Sequence, residues 1–101
     1  MAIYVTSDAH GHVRALDEAL SKISLASDDT LYVLGDMIDR GPDPVGVIKL
    51  VRSLPNALVL KGNHEQIMLD AIIGQDPLDA ETWDINGGWT TREQLNDMEF
   101  D

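Results

Sequence analysis

Three short stretches hold nearly all the residues able to do metal and phosphate chemistry. They are "SDAHGH" (Ser7–His12), "GDMIDRGPDP" (Gly35–Pro44) and "GNHE" (Gly62–Glu65). Together they supply Asp8, His10, Asp36, Asp39, Arg40, Asn63 and His64. Carboxylate, imidazole and amide oxygen donors suit Mn, Fe or Zn better than Ca or Mg. A carboxylate such as Asp36 can bridge two ions roughly 3.5–4 Å apart, a pair that acidifies bound water and clamps a phosphoryl group. Arg40 can grip phosphate oxygens through its planar fork. His64 is then free to protonate a leaving alkoxide, with Asp39 holding its other ring nitrogen. The chain has no cysteine, so thiolate metal sites and cysteine nucleophiles are excluded.

These stretches come together only if the elements before them end at one edge. Ala2–Thr6, Leu31–Leu34 and Ala57–Leu60 are short apolar, β-branched runs and read as strands. Val13, Leu16, Leu20 and Ile23 make a helical stripe over His12–Ile23. Pro44–Leu54 reads as a second helix, with Asp43 as its N-cap and Pro44 in its first position. Gln66–Ile73 reads as a third, stopped by Gly74, with Ile67, Met68, Ala71 and Ile72 as its core stripe. A β-α-β-α-β-α order with near-continuous apolar strands predicts a mainly parallel sheet with crossover helices. In such sheets the loops after the strands line one edge, where ligands bind. Each of the three stretches follows a strand.

The chain is 101 residues long, with a net charge of −11 and 44% hydrophobic residues. That is enough for one small domain (1–101) with a modest core. Residues 1–74 carry the β-α repeats and the three motifs. Residues 75–101 read as an acidic tail, weakly structured or helical, with one helical candidate at Thr90–Met98. From Asp76 onward eight acids stand against the single base Arg92. The acidity argues against a nucleic-acid partner, which needs a basic stripe. The N-terminus "MAIYVTSD" lacks the basic segment and apolar length of a signal peptide, and no apolar run reaches membrane-spanning length. A cytoplasmic protein with no membrane partner is the expectation.

"SDAHG", "GDMIDRG" and "GNHE", in that order, resemble the three N-terminal signatures of the calcineurin-like metallophosphoesterases, and most closely the serine/threonine protein phosphatase branch. "GDMIDRGP", "GNHEQIMLD" and "WDINGGW" look like its bacterial and phage members, and like bis(5′-nucleosyl)-tetraphosphatases. The resemblance covers roughly residues 3–90. It implies an α/β fold, half of an α-β-β-α sandwich. It implies two divalent metal ions (Mn, Fe or Zn), with Asp8 and His10 on the first, Asp36 bridging and Asn63 on the second. It implies that Arg40 contacts phosphate and that His64 is the general acid, partnered by Asp39. The implied activity is hydrolysis of phosphomonoesters by a metal-bound hydroxide. The implied substrate is a phosphorylated protein or small phosphoester, with bis(5′-nucleosyl)-tetraphosphate as the alternative.

The sequence also departs from the family. Ser7 stands where Gly is usual, and Lys61 where Arg is frequent. The family adds two histidines to the metals from its second half, whereas His10, His12 and His64 are the only histidines here. The second metal site is therefore expected to be incomplete in this chain, which reads as an N-terminal half, a fragment or a short paralogue. A half sandwich exposes an apolar sheet face, so a homo-oligomer is expected. The alternative function is a non-catalytic phosphatase-like module acting through oligomerisation. Of the remaining residues, His12 reads as helix scaffold, Glu65 as electrostatic support for its helix's first turn, and Gly62 as the residue permitting a sharp exit from its strand. Trp83 and Trp89 read as core or interface packing. "NGG" (Asn86–Gly88) reads as a turn on physics alone, and resembles a family turn near the active site.

Overall fold

A computed structural model describes residues 1–74 and 76–98. Gln75 and residues 99–101 of the expected tail lie outside the described residues. Strands β1 (Ile3–Thr6), β2 (Thr30–Val33) and β3 (Ala57–Val59) alternate with helices α1 (Val13–Ile23), α2 (Pro44–Arg52) and α3 (Asn63–Ile73). Two more helices follow, α4 (Pro77–Ile85) and α5 (Trp89–Asp97). The sheet is parallel throughout, in the order β1-β2-β3. Ile3 pairs with Thr30 and Thr6 with Val33, while Leu31 pairs with Ala57 and Val33 with Val59.

This register sorts the side chains by face. Leu31 and Val33 form one buried core with Leu16 of α1 and Val47 and Val51 of α2, so both crossover helices cover the same face. Ile38 and Val47 are completely buried; each such side chain contributes roughly 1.5–3 kcal/mol. On the opposite face Ile3, Val5 and Leu58 are 65%, 61% and 53% exposed. Leu34 and Leu60, just beyond the strands, extend this apolar surface. The open face expected of a half sandwich is therefore present among the described residues.

The structure corrects three local expectations. The segment after Gly74 contains two helices, α4 as well as α5, where the sequence suggested one. Helix α3 starts at Asn63, three residues before the expected Gln66. One of its orphan N–H groups is capped from another loop: the Asp36 carboxylate accepts from the His64 N–H at 2.8 Å. Of the proposed α3 stripe, Ile67, Met68 and Ala71 are half-buried but Ile72 is 58% exposed.

At the sheet's other end Asp29, undistinguished in the sequence, ties the strand starts together. Its two carboxylate oxygens accept the N–H groups of Ala26 and Ala2, each at 2.8 Å. These bonds, that to Ala26 first, hold its pKa below the ordinary aspartate value. A lowered folded pKa means stability that is present above the unfolded value, near 3.9, and lost as pH falls through the folded one. Asp29→Asn is therefore expected to melt below the wild type at neutral pH, with the gap closing below about pH 4. Melting curves from pH 2 to pH 7 check this; a gap constant across that range would refute it.

Candidate functional site

The loops after β1 and β2 are sewn together by backbone hydrogen bonds. Asp8, His10 and Gly11 donate to the carbonyls of Gly35, Asp36 and Met37, and Asp43 donates to Gly11. The third loop is tied in by Glu65, whose carboxylate accepts from Asp36 N–H (2.6 Å), Met37 N–H (3.0 Å) and Gly62 N–H (2.9 Å). Its role is wider than support of a helical turn, for it joins the second loop to the third.

Two glycines between these loops are needed for different reasons. Gly35 has a φ of +93°, and a Cβ there would run into the Gly62 backbone. Gly62 itself has an ordinary φ of −92°, so the expected conformational reason fails. A Cβ on Gly62 would lie 2.5 Å from Asp36 N, so close approach is what excludes a side chain.

Six non-glycine residues have positive φ, and five are candidate site residues: Asp8, His10, Asp36, Asp39 and Arg40. The sixth, Ser24, merely ends α1. Left-handed backbone costs roughly 1–2 kcal/mol per residue, and such strain concentrates where geometry is held for function.

Asp8, His10 and Asp36 each offer one ligand atom, all within 4.8 Å of one another. His10 Nδ1–H donates to the Ile38 carbonyl at 2.8 Å, leaving Nε2 as the ring's donor to the cluster. Ser7, the departure from the family's usual Gly, hydrogen-bonds Asp8 Oδ2 at 3.0 Å. Two carboxylates and an outward imidazole nitrogen fit a divalent ion. Asn63 is exposed at the first position of α3.

Asp39 is fully buried and His64 nearly so. His64 Nδ1–H donates to Asp39 Oδ2 at 2.8 Å, and the His64 and His10 rings meet edge to face at 4.6 Å. Arg40 is exposed at the same edge; its N–H donates to the Gly87 carbonyl and its Nε–H to that of Asn86. The "NGG" turn thus lies against Arg40. His12 is the exposed N-cap of α1 and makes no side-chain cap bond. Arg92 pairs with Asp84, and Lys61 with Gln66.

Sequence reasoning missed two residues beneath this edge. Trp83 Nε1–H donates to Asp39 Oδ1 at 3.0 Å, and Thr91 Oγ1–H donates to the same oxygen at 2.7 Å. Trp83 is buried, as its packing role required, but Trp89 is 51% exposed. The readable signal was "WDINGGWTT" taken as one unit.

A family model described as calcineurin-like phosphoesterase matches residues 1–99. The chain is 42% identical over 71 residues to a symmetrical bis(5′-nucleosyl)-tetraphosphatase of Proteus mirabilis, covering 68% of this chain and 26% of that protein. It is 38% identical over 92 residues to serine/threonine-protein phosphatase 1 of Salmonella typhimurium, covering 89% of this chain and 41% of the relative. A crystal structure of a candidate diadenosine tetraphosphatase matches with a TM-score of 0.56 and 29% identity, over 78% of this chain and 40% of that one. The chain thus spans between about a quarter and about two fifths of the length of these relatives. Among the described residues, no helix is long and apolar enough to cross a membrane.

Proposed function

The chain belongs to the calcineurin-like phosphoesterase family, and on that premise we propose that its three-loop edge is the metal- and phosphate-holding part of a hydrolase acting on phosphomonoesters. The observation that carries this reading is the cluster of Asp8, His10 and Asp36 ligand atoms within 4.8 Å. In the proposed arrangement Asp8, His10 Nε2 and Asp36 hold one ion, and Asp36 and Asn63 contribute to a second. What such ions supply when bound is neutralisation of the phosphoryl charge and an acidified water. Arg40 binds the phosphoryl oxygens through its guanidinium. His64, anchored through Nδ1 on Asp39, gives the leaving oxygen a proton from Nε2.

The proposed substrate is a phosphoserine- or phosphothreonine-bearing protein. A net charge of −11 disfavours a highly anionic dinucleoside polyphosphate. A second reading, a non-catalytic module working as a homo-oligomer, draws on the open face of Ile3, Val5 and Leu58. One experiment separates them: hydrolysis of an aryl phosphate, a phosphoserine peptide and diadenosine tetraphosphate, with manganese and with chelator, alongside light scattering. Manganese-dependent turnover, with the peptide preferred to the dinucleotide, is expected. A folded, oligomeric chain with no turnover would establish the second reading instead.

A further inference from the structure

We infer that Trp83 and Thr91 are positioning residues that fix Asp39, and through it the ring of His64; the inference rests on the role proposed above for His64. Asp39 is 0% exposed. Its Oδ2 is taken by His64 Nδ1–H, so the direction of that bond depends on what holds Oδ1. Oδ1 is held twice, by Trp83 Nε1–H and by Thr91 Oγ1–H. The Thr91 hydroxyl also accepts the Asp39 backbone N–H at 2.9 Å, so one side chain fixes both ends of the residue. Thr91 is 1% exposed, and no other described side chain bonds Oδ1.

The turn between the two residues is shaped for this purpose. Gly87 has a φ of +88°, and a Cβ on it would lie 2.7 Å from Arg40 Cγ. A Cβ on Gly88 would strike the Trp83 indole. Asp39 and Arg40 are consecutive left-handed residues, with φ of 71° and 72°. The segment Trp83–Thr91 grips both, through Thr91 on the Asp39 N–H and Gly87 on the Arg40 N–H. A lone turn or a lone buried tryptophan would not require this set of contacts. Together they clamp an Asp–His pair from beneath.

The test uses the metal-free chain at one fixed neutral pH, with ¹⁵N-labelled histidine. Wild type should show a downfield, slowly exchanging proton on His64 Nδ1, the nitrogen that faces Asp39. Thr91→Val, which keeps the shape and loses the hydroxyl, and Trp83→Phe, which loses the indole N–H, should each lose that proton signal. Thr91→Ser should restore it. Turnover gives a second readout. A proton donor matters most for poor leaving groups, so in Thr91→Val kcat should fall roughly tenfold on phosphoserine peptide and little on an aryl phosphate, with KM nearly unchanged. An unchanged His64 signature in both folded variants would overturn the inference, whatever the turnover. A lost signature in a chain that never turns over would leave the clamp standing and remove the phosphoesterase reading alone.

Discussion

Asp36→Asn is expected to lose manganese affinity by at least about tenfold and metal-dependent hydrolysis by at least about 100-fold, while remaining folded. Asp36 has two separable tasks. Its Oδ1 accepts the His64 N–H and so caps α3, whose N-cap residue Gly62 has no side chain to offer. Its carboxylate also joins Asp8 and His10 in the donor cluster. An asparagine oxygen can still accept the His64 N–H, so the cap survives. The negative charge does not survive, and a neutral amide would hold a divalent cation less well than a carboxylate. Titration calorimetry with manganese, aryl phosphate turnover and a melting curve together isolate the two tasks. Manganese affinity equal to wild type would remove Asp36 from the metal site. Asp36→Ala, lacking both tasks, should in addition lose about 1 kcal/mol of stability.

The parts of this molecule that follow local periodicity are legible in its sequence. Val13, Leu16, Leu20 and Ile23 mark α1, and Asp43–Pro44 marks the start of α2, where Asp43 does cap Gly46 N–H. The three glycine-bearing stretches after the strands identify the edge, because strand order alone brings them together. Elements held by distant polar contacts are hidden. Helix α4 buries only Trp83 while Leu78 and Ile85 are 63% and 78% exposed, so no apolar stripe announces it. Helix α5 docks through Thr91 on Asp39 and through Gln94, which accepts from Val45 N–H and donates to Asp43. Those are hydrogen bonds across about fifty positions of sequence; local pattern marks the helix itself, as the Thr90–Met98 candidate, but not what it docks against. The start of α3 is obscured for the same reason, since its cap comes from Asp36. Asp29 looks like one more surface acid until Ala2 and Ala26 are seen to converge on it.

Glu65→Ala is expected to cost both stability and metal binding, in contrast to Asp36→Asn. The Glu65 carboxylate accepts three backbone N–H groups from two loops. Removing it strands those donors in a partly buried place, and each stranded donor costs about 1–3 kcal/mol. Water reaches this edge, so the lower end applies, and a total of roughly 3 kcal/mol is expected. In a domain of about this size that lowers the melting temperature by roughly 10–20 °C. The loss does not stop at stability. Two of the three donors are the N–H groups of Asp36 and Met37, and Asp36 sits at a φ of 53° that its neighbours must hold against its own preference. Released, its carboxylate no longer faces Asp8 and His10, and manganese affinity falls with it. Glu65→Gln should be intermediate: one oxygen can still serve Asp36 and Gly62, but the amide then turns its own N–H toward Met37 N–H. Melting curves and manganese titrations on the two variants check the order. A Glu65→Ala protein that melts within about 2 °C of wild type would show that the loops are held without this carboxylate. A destabilised protein with unchanged manganese affinity would show that Asp36 keeps its place without it. Both effects together make Glu65 the residue through which the third loop positions the second.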